Sequence, residues 1–266
     1  MQVDRSADIQ KKTLIVFDLD GTLAESKSVM DSEMAALFQE LLKRKMVAVI
    51  GGGKYDLFKS QLIARLRAPK ELLERLFLFP TTATAFYRYR KGWKKVYELK
   101  LTVKEKQQIH QAFAEAFKEV GYVHPKKTYG KVIEDRGTQV TFSALGQEIV
   151  TALRERGVAL KKKWIADNAV IKMRLAKVLQ RRLPKLCVRS AGYTSIDVTR
   201  RGIDKAYGIK QIEKHLHIPK TQMLFIGDAL FPGGNDFAVR RTGVKCIPVS
   251  GPEETKQLLR AWIKEC

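Results

Sequence analysis

Two carboxylates, Asp18 and Asp20, are separated by a single residue and follow a short apolar run at 13–17. The run is rich in β-branched and aromatic residues, which predicts a buried strand. The carboxyl ends of strands open onto the crevice in which α/β sheets bind ligands. Two acids this close repel each other unless a cation neutralises them, and oxygen ligands favour Mg²⁺. One carboxylate could then attack phosphorus while the other moves a proton.

The elements that position these acids alternate between strand and helix. Residues 31–45 have apolar positions at helical spacing, and Met46–Ile50 is a second apolar strand closed by three glycines. Residues 54–66 and 70–77 are predicted to be further helices. This order of strands and helices favours a parallel sheet with helical crossovers.

The pattern changes after about residue 80. Residues 81–89 and 94–99 alternate like antiparallel strands, and a basic helix is predicted over 168–182. Strand and helix alternate again from residue 204 onward. The sequence therefore predicts an α/β core made of residues 1–85 and 201–266, interrupted by an α+β insert at 86–200.

The chain of 266 residues is strongly basic. It carries 50 Lys and Arg against 28 Asp and Glu, a formal net charge of +22. Such a surface attracts polyanions, including nucleic acid and phosphorylated small molecules. Nucleic acid is disfavoured, because the basic residues are spread from Lys11 to Lys264 and no RNA-recognition or helix-turn-helix pattern is present, but the charge keeps it open.

Apolar runs, the N-terminus and the cysteines indicate the expected location of the protein. No run of about 18 apolar residues exists, so we expect no membrane-spanning helix. The N-terminus lacks an apolar stretch before a cleavage site, so no secretory signal is expected. Three cysteines without metal-ligand spacing fit a reducing cytoplasm. The oligomeric state is left open.

An ordered set of motifs resembles a known superfamily. Residues 17–23, Phe-Asp-Leu-Asp-Gly-Thr-Leu, resemble the first motif of the haloacid dehalogenase (HAD) phosphotransferases. Lys205 resembles their third-motif lysine, and residues 226–236 resemble their fourth, acidic motif. The insert lies between the second and third motifs, as in subfamily IIB, whose members have a large α/β cap. Within it, the chain looks most like the eukaryotic-type phosphomannomutases, which implies a HAD-like Rossmannoid core with an inserted α+β cap.

The resemblance implies roles for single residues of the core. Asp18 would be the nucleophile that becomes an aspartyl-phosphate. Asp20 would protonate the leaving oxygen and later activate the incoming water or hydroxyl. Lys205 would offset the charge on Asp18 and on the phosphoryl oxygens.

The same resemblance implies a Mg²⁺ site. The ion would be held by the Asp18 carboxylate, the Asp20 backbone carbonyl and Asp228. Asn235 or Asp236 would steady the loop that carries Asp228.

The second motif departs from the family pattern. That strand usually ends in Ser or Thr, whose hydroxyl holds the transferring phosphoryl group. Here Gly51, Gly52 and Gly53 are followed by Lys54, and these four are the expected phosphate-binding positions, since N–H groups of a glycine turn at a helix start can cradle phosphate. The missing hydroxyl predicts reduced activity or an altered substrate, because one positioned hydrogen bond contributes about 10²–10³ in rate.

The cap departs as well. Arg136 matches a phosphate-binding arginine of the mutases, and Ser195 and Asp197 match sugar-binding or phosphate-binding positions. Where the mutases have a second cap arginine this chain has Gln147, and Lys27 stands where they tend to carry arginine after the first motif. Arginine binds phosphate in a bidentate manner that a neutral amide cannot reproduce. Arg136 has an alternative interpretation, a structural ion pair with Glu134 or Asp135.

The sequence thus predicts a cytoplasmic, Mg²⁺-dependent phosphohydrolase acting on a phosphorylated sugar, with a hexose phosphate favoured, or a similar small metabolite. The first alternative is a phosphomannomutase, which returns the phosphoryl group to a hexose hydroxyl. The second alternative is a protein that binds polyanions or nucleic acid and keeps a weakened HAD core.

Overall fold

A computed structural model describes residues 6–26 and 28–264. Two compact units are present. The first contains the described residues up to Glu98 together with those from Asp204 onward, and the second runs from Leu99 to Ile203. The second unit is therefore an insertion into the first, and we call it the inserted unit.

The strands of the described residues are β1 (Leu14–Asp18), β2 (Met46–Ile50), β3 (Leu76–Phe79), β4 (Ala85–Tyr89), β5 (Trp93–Glu98), β6 (Ile133–Asp135), β7 (Val140–Ser143), β8 (Leu186–Ala191), β9 (Ser195–Arg200), β10 (Met223–Gly227) and β11 (Lys245–Pro248). The helices are α1 (Ser6–Gln10), α2 (Ser32–Arg44), α3 (Tyr55–Phe58), α4 (Ala64–Leu66), α5 (Lys70–Leu73), α6 (Pro80–Ala83), α7 (Val103–Val120), α8 (Ile149–Leu153), α9 (Glu155–Arg182), α10 (Lys205–Leu216) and α11 (Pro252–Lys264). A π-helical segment, Lys59–Ile63, joins α3 to α4, and 3₁₀ turns lie at Lys220–Gln222 and Phe237–Thr242. None of the described helices is both long and apolar enough to span a membrane.

The first unit is built on a seven-stranded sheet in the order β11-β10-β1-β2-β3-β4-β5. The strands from β11 to β3 are parallel, whereas β4 and β5 are antiparallel to their neighbours. The chain builds outward from β1 through β2 to β3 on one side, and β10 and β11 lie on the other. The carboxyl ends of β1 and β10 therefore flank the topological switch point, where open α/β sheets bind ligands.

Both faces of β1 are covered, which explains its continuous apolar run. Ile15 and Phe17 pack into one apolar cluster with residues of α2 and α11. Leu14 and Val16 point to the opposite face and pack into a second cluster with residues of α10. Alternation along the strand thus anchors β1 between two layers of helices, which places Asp18 firmly at its end.

The inserted unit contains an antiparallel sheet in the order β6-β7-β9-β8. Its apolar residues, including Phe142 and Ile196, pack with residues of α7 and α9 such as Phe113 and Leu175. The alternate residues of β7 and β9 are polar and lie on the other face of the sheet. The predicted fold class, an α/β core with a parallel sheet and an inserted α+β domain, is confirmed.

Three local predictions are wrong. The strand expected over 81–89 begins only at Ala85, because Pro80–Ala83 form α6. The helix expected over 70–77 ends at Leu73, and the buried strand β3 takes Leu76–Phe79; short apolar runs of this kind have no periodicity that separates strand from helix. The basic helix expected from 168 begins at Glu155 and is interrupted at Asn168, where φ is −129°. Its first half carries clustered lysines, which hide the helical pattern.

The boundaries of the insert also differ from those expected at 85/86 and 200/201. The two units divide after Glu98 and after Ile203. The reason is that β4 pairs with β3, and β5 with β4, so this hairpin extends the core sheet. In sequence, an antiparallel hairpin added to a parallel sheet resembles the start of a new domain.

Candidate active site

Three carboxylates meet at the switch point of the core sheet, and we call them the acidic cluster. Asp18 is the last residue of β1, Asp228 directly follows β10, and Asp236 lies at the end of the loop after β10. One carboxylate oxygen from each lies within 4.8 Å of the others. Asp18 and Asp236 are buried, and Asp228 is half-buried.

Lys205 is brought to the acidic cluster by the first turn of α10. Asp204 caps this helix by accepting a hydrogen bond from the Tyr207 backbone N–H at 2.9 Å. The Lys205 ammonium, only 2% exposed, lies 2.7 Å from an Asp18 carboxylate oxygen and forms an ion pair with Asp236. The predicted contact between Lys205 and Asp18 is therefore present.

Burial and mutual repulsion shape the ionisation of these groups. Burial raises the pKa of Asp18 well above its usual value, Asp236 and Asp228 raise it further, and Lys205 opposes the rise. The pKa of Asp228 is raised by burial and by Asp236. Burial alone would lower the pKa of Lys205, but Asp18 and Asp236 raise it above its usual value. The lysine therefore stays charged.

The donor set fits a divalent cation. Three carboxylates lie together, and the Lys205 ammonium pairs with two of them, Asp18 and Asp236. A divalent ion would offset the mutual repulsion that helps to raise the pKa of Asp18 and of Asp228. Carboxylate oxygens are the ligands that Mg²⁺ prefers. Gly21 has φ +82°, and a Cβ there would lie 2.5 Å from Asp228 Oδ2, so glycine allows the carboxylate to approach.

The two candidates for steadying the metal loop differ in burial. Asp236 is fully buried, accepts a hydrogen bond from the Ala229 N–H at 3.0 Å, and donates its own N–H to the Ala229 carbonyl at 3.2 Å. Asn235 is exposed. Asp236 is therefore the residue that closes the loop from Ala229. At the other side, the Asp228 N–H donates to Thr22 Oγ1 at 3.1 Å, a contact that the sequence analysis missed.

Asp20 is half-buried at the turn after β1. The turn is closed by the Gly21 N–H, which donates to the Ala24 carbonyl at 2.7 Å. One Asp20 carboxylate oxygen lies 3.4 Å from the side-chain amide nitrogen of Gln61. Sequence reasoning did not single out Gln61, although a glutamine among apolar positions of a helix is a signal that could have found it.

The glycine loop after β2 is held by an unusual backbone. Thr81 and Thr82 of α6 have φ of 48° and 56°, a left-handed conformation that is costly for β-branched residues. Their N–H groups donate to the Gly53 and Gly51 carbonyls at 2.8 and 2.9 Å. The Gly51 and Gly53 carbonyls of the loop are therefore hydrogen-bonded to α6. Lys54 is the N-cap residue of α3 without a side-chain capping bond.

The predicted cap residues lie in the inserted unit. Arg136 donates from Nε to Glu134 at 2.8 Å and from Nη2 to the Gln147 side-chain oxygen at 3.0 Å. Asp197 accepts a hydrogen bond from Thr141 Oγ1 at 2.7 Å. The alternative interpretation of Arg136, an ion pair with Glu134, is thus present in the structure.

Three further residues were singled out by the sequence: Ser195, Gln147 and Lys27. Ser195 is buried on β9 opposite Ser143 of β7. Gln147 donates from its amide nitrogen to the Thr141 carbonyl at 3.2 Å, so it links Arg136 to β7. Lys27 lies outside the described residues.

Fold and site together define a class of protein. A profile of the haloacid dehalogenase-like hydrolase family matches residues 15–237, which is most of the chain. The chain therefore belongs to this family, and the membership expected from its motifs is confirmed.

The chain is similar to phosphomannomutases over nearly its whole length. It is 24% identical over 249 residues to the phosphomannomutase of Encephalitozoon cuniculi (strain GB-M1), covering 92% of this chain and 91% of that protein. It is 26% identical over 273 residues to phosphomannomutase 1 of Homo sapiens, covering 96% and 94%. Among solved structures, the truncated, IMP-bound IMP-nucleotidase of Plasmodium falciparum has a TM-score of 0.67 at 18% identity, covering 98% of this chain and 71% of that one. This last likeness shows a shared fold.

Proposed function

We propose that this chain is a Mg²⁺-dependent phosphohydrolase that acts through an aspartyl-phosphate at Asp18 on a phosphorylated sugar or a similar small metabolite. The observation that carries the proposal is the buried cluster of Asp18, Asp228, Asp236 and Lys205 at the switch point of the sheet. The mutual repulsion of its carboxylates favours the binding of a divalent cation. The proposal includes a cytoplasmic location, in keeping with its cysteine usage.

Each step can be assigned to residues of the chain. An Asp18 oxygen attacks phosphorus while the bond to the leaving oxygen breaks, and Asp20 gives that oxygen a proton. Water then attacks the aspartyl-phosphate, Asp20 takes the water's proton, and the phosphorus–oxygen bond to Asp18 breaks with its electron pair returning to the carboxylate. Lys205 holds the Asp18 carboxylate and offsets charge on the phosphoryl oxygens.

The metal would be held by Asp18, Asp228 and the Asp20 backbone carbonyl. When bound, Mg²⁺ supplies charge stabilisation of the phosphoryl oxygens. Asp236 keeps the Asp228 loop closed and shares the Lys205 ammonium with Asp18. The glycine loop Gly51–Gly53, with Lys54 beside it, would receive the phosphoryl oxygens. Because the Gly51 N–H already donates to the Phe79 carbonyl at 3.3 Å, the contacts to phosphate would come from the residues that follow it.

The test measures phosphate release from a panel of sugar phosphates with Mg²⁺ and after treatment with EDTA. We expect release that needs the metal and that Asp18→Asn abolishes, because the substitution removes the nucleophile. Asp167→Asn is the matched control, since Asp167 is an exposed residue of α9 paired with Lys163. Turnover that survives Asp18→Asn would contradict the proposed mechanism.

A phosphomannomutase is the second candidate, favoured by the similarity to such enzymes over 92–96% of the chain. A mutase must keep its phosphorylated sugar bound while the sugar reorients. Its cap must therefore bind phosphate strongly. Here Arg136 is already paired with Glu134, and it also donates to the neutral Gln147. These contacts favour the hydrolase. An assay that follows hexose 1-phosphate, hexose 6-phosphate and free phosphate separates the two, and isomerisation faster than release would establish the mutase.

Binding of a polyanion is a third candidate, favoured by the distribution of charge. The inserted unit, from Leu99 to Ile203, contains 22 Lys and Arg and nine Asp and Glu. Fluorescence anisotropy with a labelled RNA duplex tests it. We expect weak binding that falls steeply with salt and has no sequence preference, as counterion release from a diffuse basic surface predicts. Tight, sequence-selective binding at physiological salt would make this the leading function.

A further inference from the structure

Gln61 is a buried amide beside Asp20. It lies in the π-helical segment Lys59–Ile63, where the Ala64 N–H donates to the Lys59 carbonyl. Such insertions in a helix occur often at functional sites. Gln61 is 2% exposed, whereas Lys59 and Ser60 just before it are exposed. The segment therefore carries a polar side chain into the interior.

The contacts of Gln61 determine which way its amide faces. Its nitrogen donates to the Ser28 carbonyl at 2.9 Å and lies 3.4 Å from an Asp20 carboxylate oxygen. Both neighbours are acceptors, so the nitrogen has to face them. The reversed amide would set an oxygen against two oxygens.

This orientation leaves the side-chain oxygen of Gln61 buried without a hydrogen-bond partner among the described residues. A buried unpaired acceptor destabilises the fold, and such groups call for an explanation. An apolar side chain of the same size would avoid that loss. Keeping the amide is therefore explained by its donor, which faces Asp20.

We propose that Gln61 is a positioning residue that holds the Asp20 carboxylate in the orientation from which it exchanges protons with the leaving group and with water. The inference rests on the proposed function. The 3.4 Å separation is long for a hydrogen bond, and we expect it to shorten in the reacting complex, as catalytic hydrogen bonds commonly do. The bond of Gln61 to Ser28 keeps the amide in place throughout.

The two half-reactions allow a test that a purely structural role would not pass. With para-nitrophenyl phosphate the leaving group departs without a proton, so phosphorylation of Asp18 does not need Asp20. Hydrolysis of the aspartyl-phosphate does need it, because water must give up a proton. A misplaced Asp20 therefore slows the second step and spares the first.

The experiment compares the full-length protein with Gln61→Met by stopped flow and by steady-state assay, both with Mg²⁺. We expect a burst of nitrophenolate with a rate within about threefold of the parent, followed by turnover that is about 10–10²-fold slower, a share of the 10²–10⁴ that acid–base catalysis supplies. Gln39→Met is the matched control, since the Gln39 amide donates to the Leu66 carbonyl at the end of the same helical run. It should leave both phases unchanged.

Equal slowing of the burst and of turnover, or no change in either, would overturn the inference. If Gln61→Met does not fold, Gln61→Glu serves instead, because it keeps the size of the side chain and removes the donor. A parent protein without metal-dependent phosphate release would defeat the proposed function itself. A releasing parent whose Gln61 variants behave like the parent would defeat only the role of Gln61.

Discussion

The acidic cluster of the first unit and the polar side chains of the sheet in the inserted unit differ in how their charged groups are paired. In the cluster, the buried Asp18 and Asp236 share one ammonium, and the half-buried Asp228 lies beside them. On the polar face, Arg136 is already matched by Glu134 and Gln147, and Asp197 by Thr141. The first arrangement offers carboxylate ligands that could hold a cation, while the polar side chains of the second pair with one another.

This difference bears on the choice between hydrolysis and transfer. A site with unbalanced charge binds its ion without giving up other partners. A face whose arginine already has partners must exchange them for phosphate, which weakens its net grip. Under the proposed function, these contacts therefore favour hydrolysis over transfer of the phosphoryl group.

The largest effect is expected from breaking the balance of the acidic cluster. Lys205→Met leaves the two buried carboxylates, Asp18 and Asp236, without their ammonium partner, and should lower the free energy of unfolding by about 3–5 kcal/mol in EDTA. Urea unfolding measures the change. Lys210→Met, on an exposed position of the same helix, should stay within about 0.5 kcal/mol. Equal losses for the two variants would show that the charge balance of the cluster does not matter.

The next effect concerns the hydroxyl missing from the glycine loop. A Cβ on Gly52 meets no atom within 4 Å, whereas one on Gly53 collides with Leu57. Gly52→Ser should therefore be accommodated and should raise the rate of phosphate release by up to about 10²-fold, if its hydroxyl reaches the phosphoryl group. Gly52→Ala, which adds the Cβ alone, is the control. A serine variant no faster than the alanine variant would argue against a phosphate-binding role for this loop position.

A smaller effect is expected from Gln147→Arg. The change removes one acceptor of Arg136 and places a second guanidinium beside it, which adds a cation that can bind phosphate. A charge-assisted contact contributes about 1.5–3 kcal/mol where a neutral one contributes about 1, which corresponds to roughly 2- to 30-fold tighter binding. We expect more isomerisation per phosphate released from hexose phosphates. Gln147→Leu, which removes the amide without adding charge, should leave this ratio unchanged, and an equal rise in both would contradict the argument.

The smallest effect concerns the pH dependence of the inserted unit. Glu105 caps α7 with Thr102 and pairs with Arg200, and the pKa of Glu105 is lowered to about 2, first by the Arg200 hydrogen bonds. A lowered carboxyl pKa stabilises the fold above its unfolded value of 4.5, and this contribution is lost as the pH falls toward 2. Thermal melts measure this contribution. Between about pH 6 and about pH 3, the melting temperature should fall more steeply for the parent than for Glu105→Gln. Parallel curves would show that this pair contributes nothing measurable.

Much of the α/β core and its site could be predicted from the sequence. The pair Asp18 and Asp20 lies within three residues at the end of an apolar strand, and a fully buried parallel strand must be continuously apolar. Lys205 and Asp228 were expected from short motifs that each lie beside the start of a helix or the end of a strand. Local patterns suffice there, because the carboxyl ends of neighbouring parallel strands meet at one edge.

Other features were decided only by tertiary structure. Gln61 lies 41 positions from Asp20 along the chain, and only the packing of the π-helical segment brings the two together. The choice of Asp236 over Asn235, and the pairing of Arg136 with Glu134 and Gln147, were likewise open in the sequence. The sequence by itself determined which reactive side chains lie at the ends of strands, since a buried strand requires a run of consecutive apolar residues. Which of those groups are paired, and which are left in need of a ligand, follows from contacts between distant segments, and only the folded chain determines these.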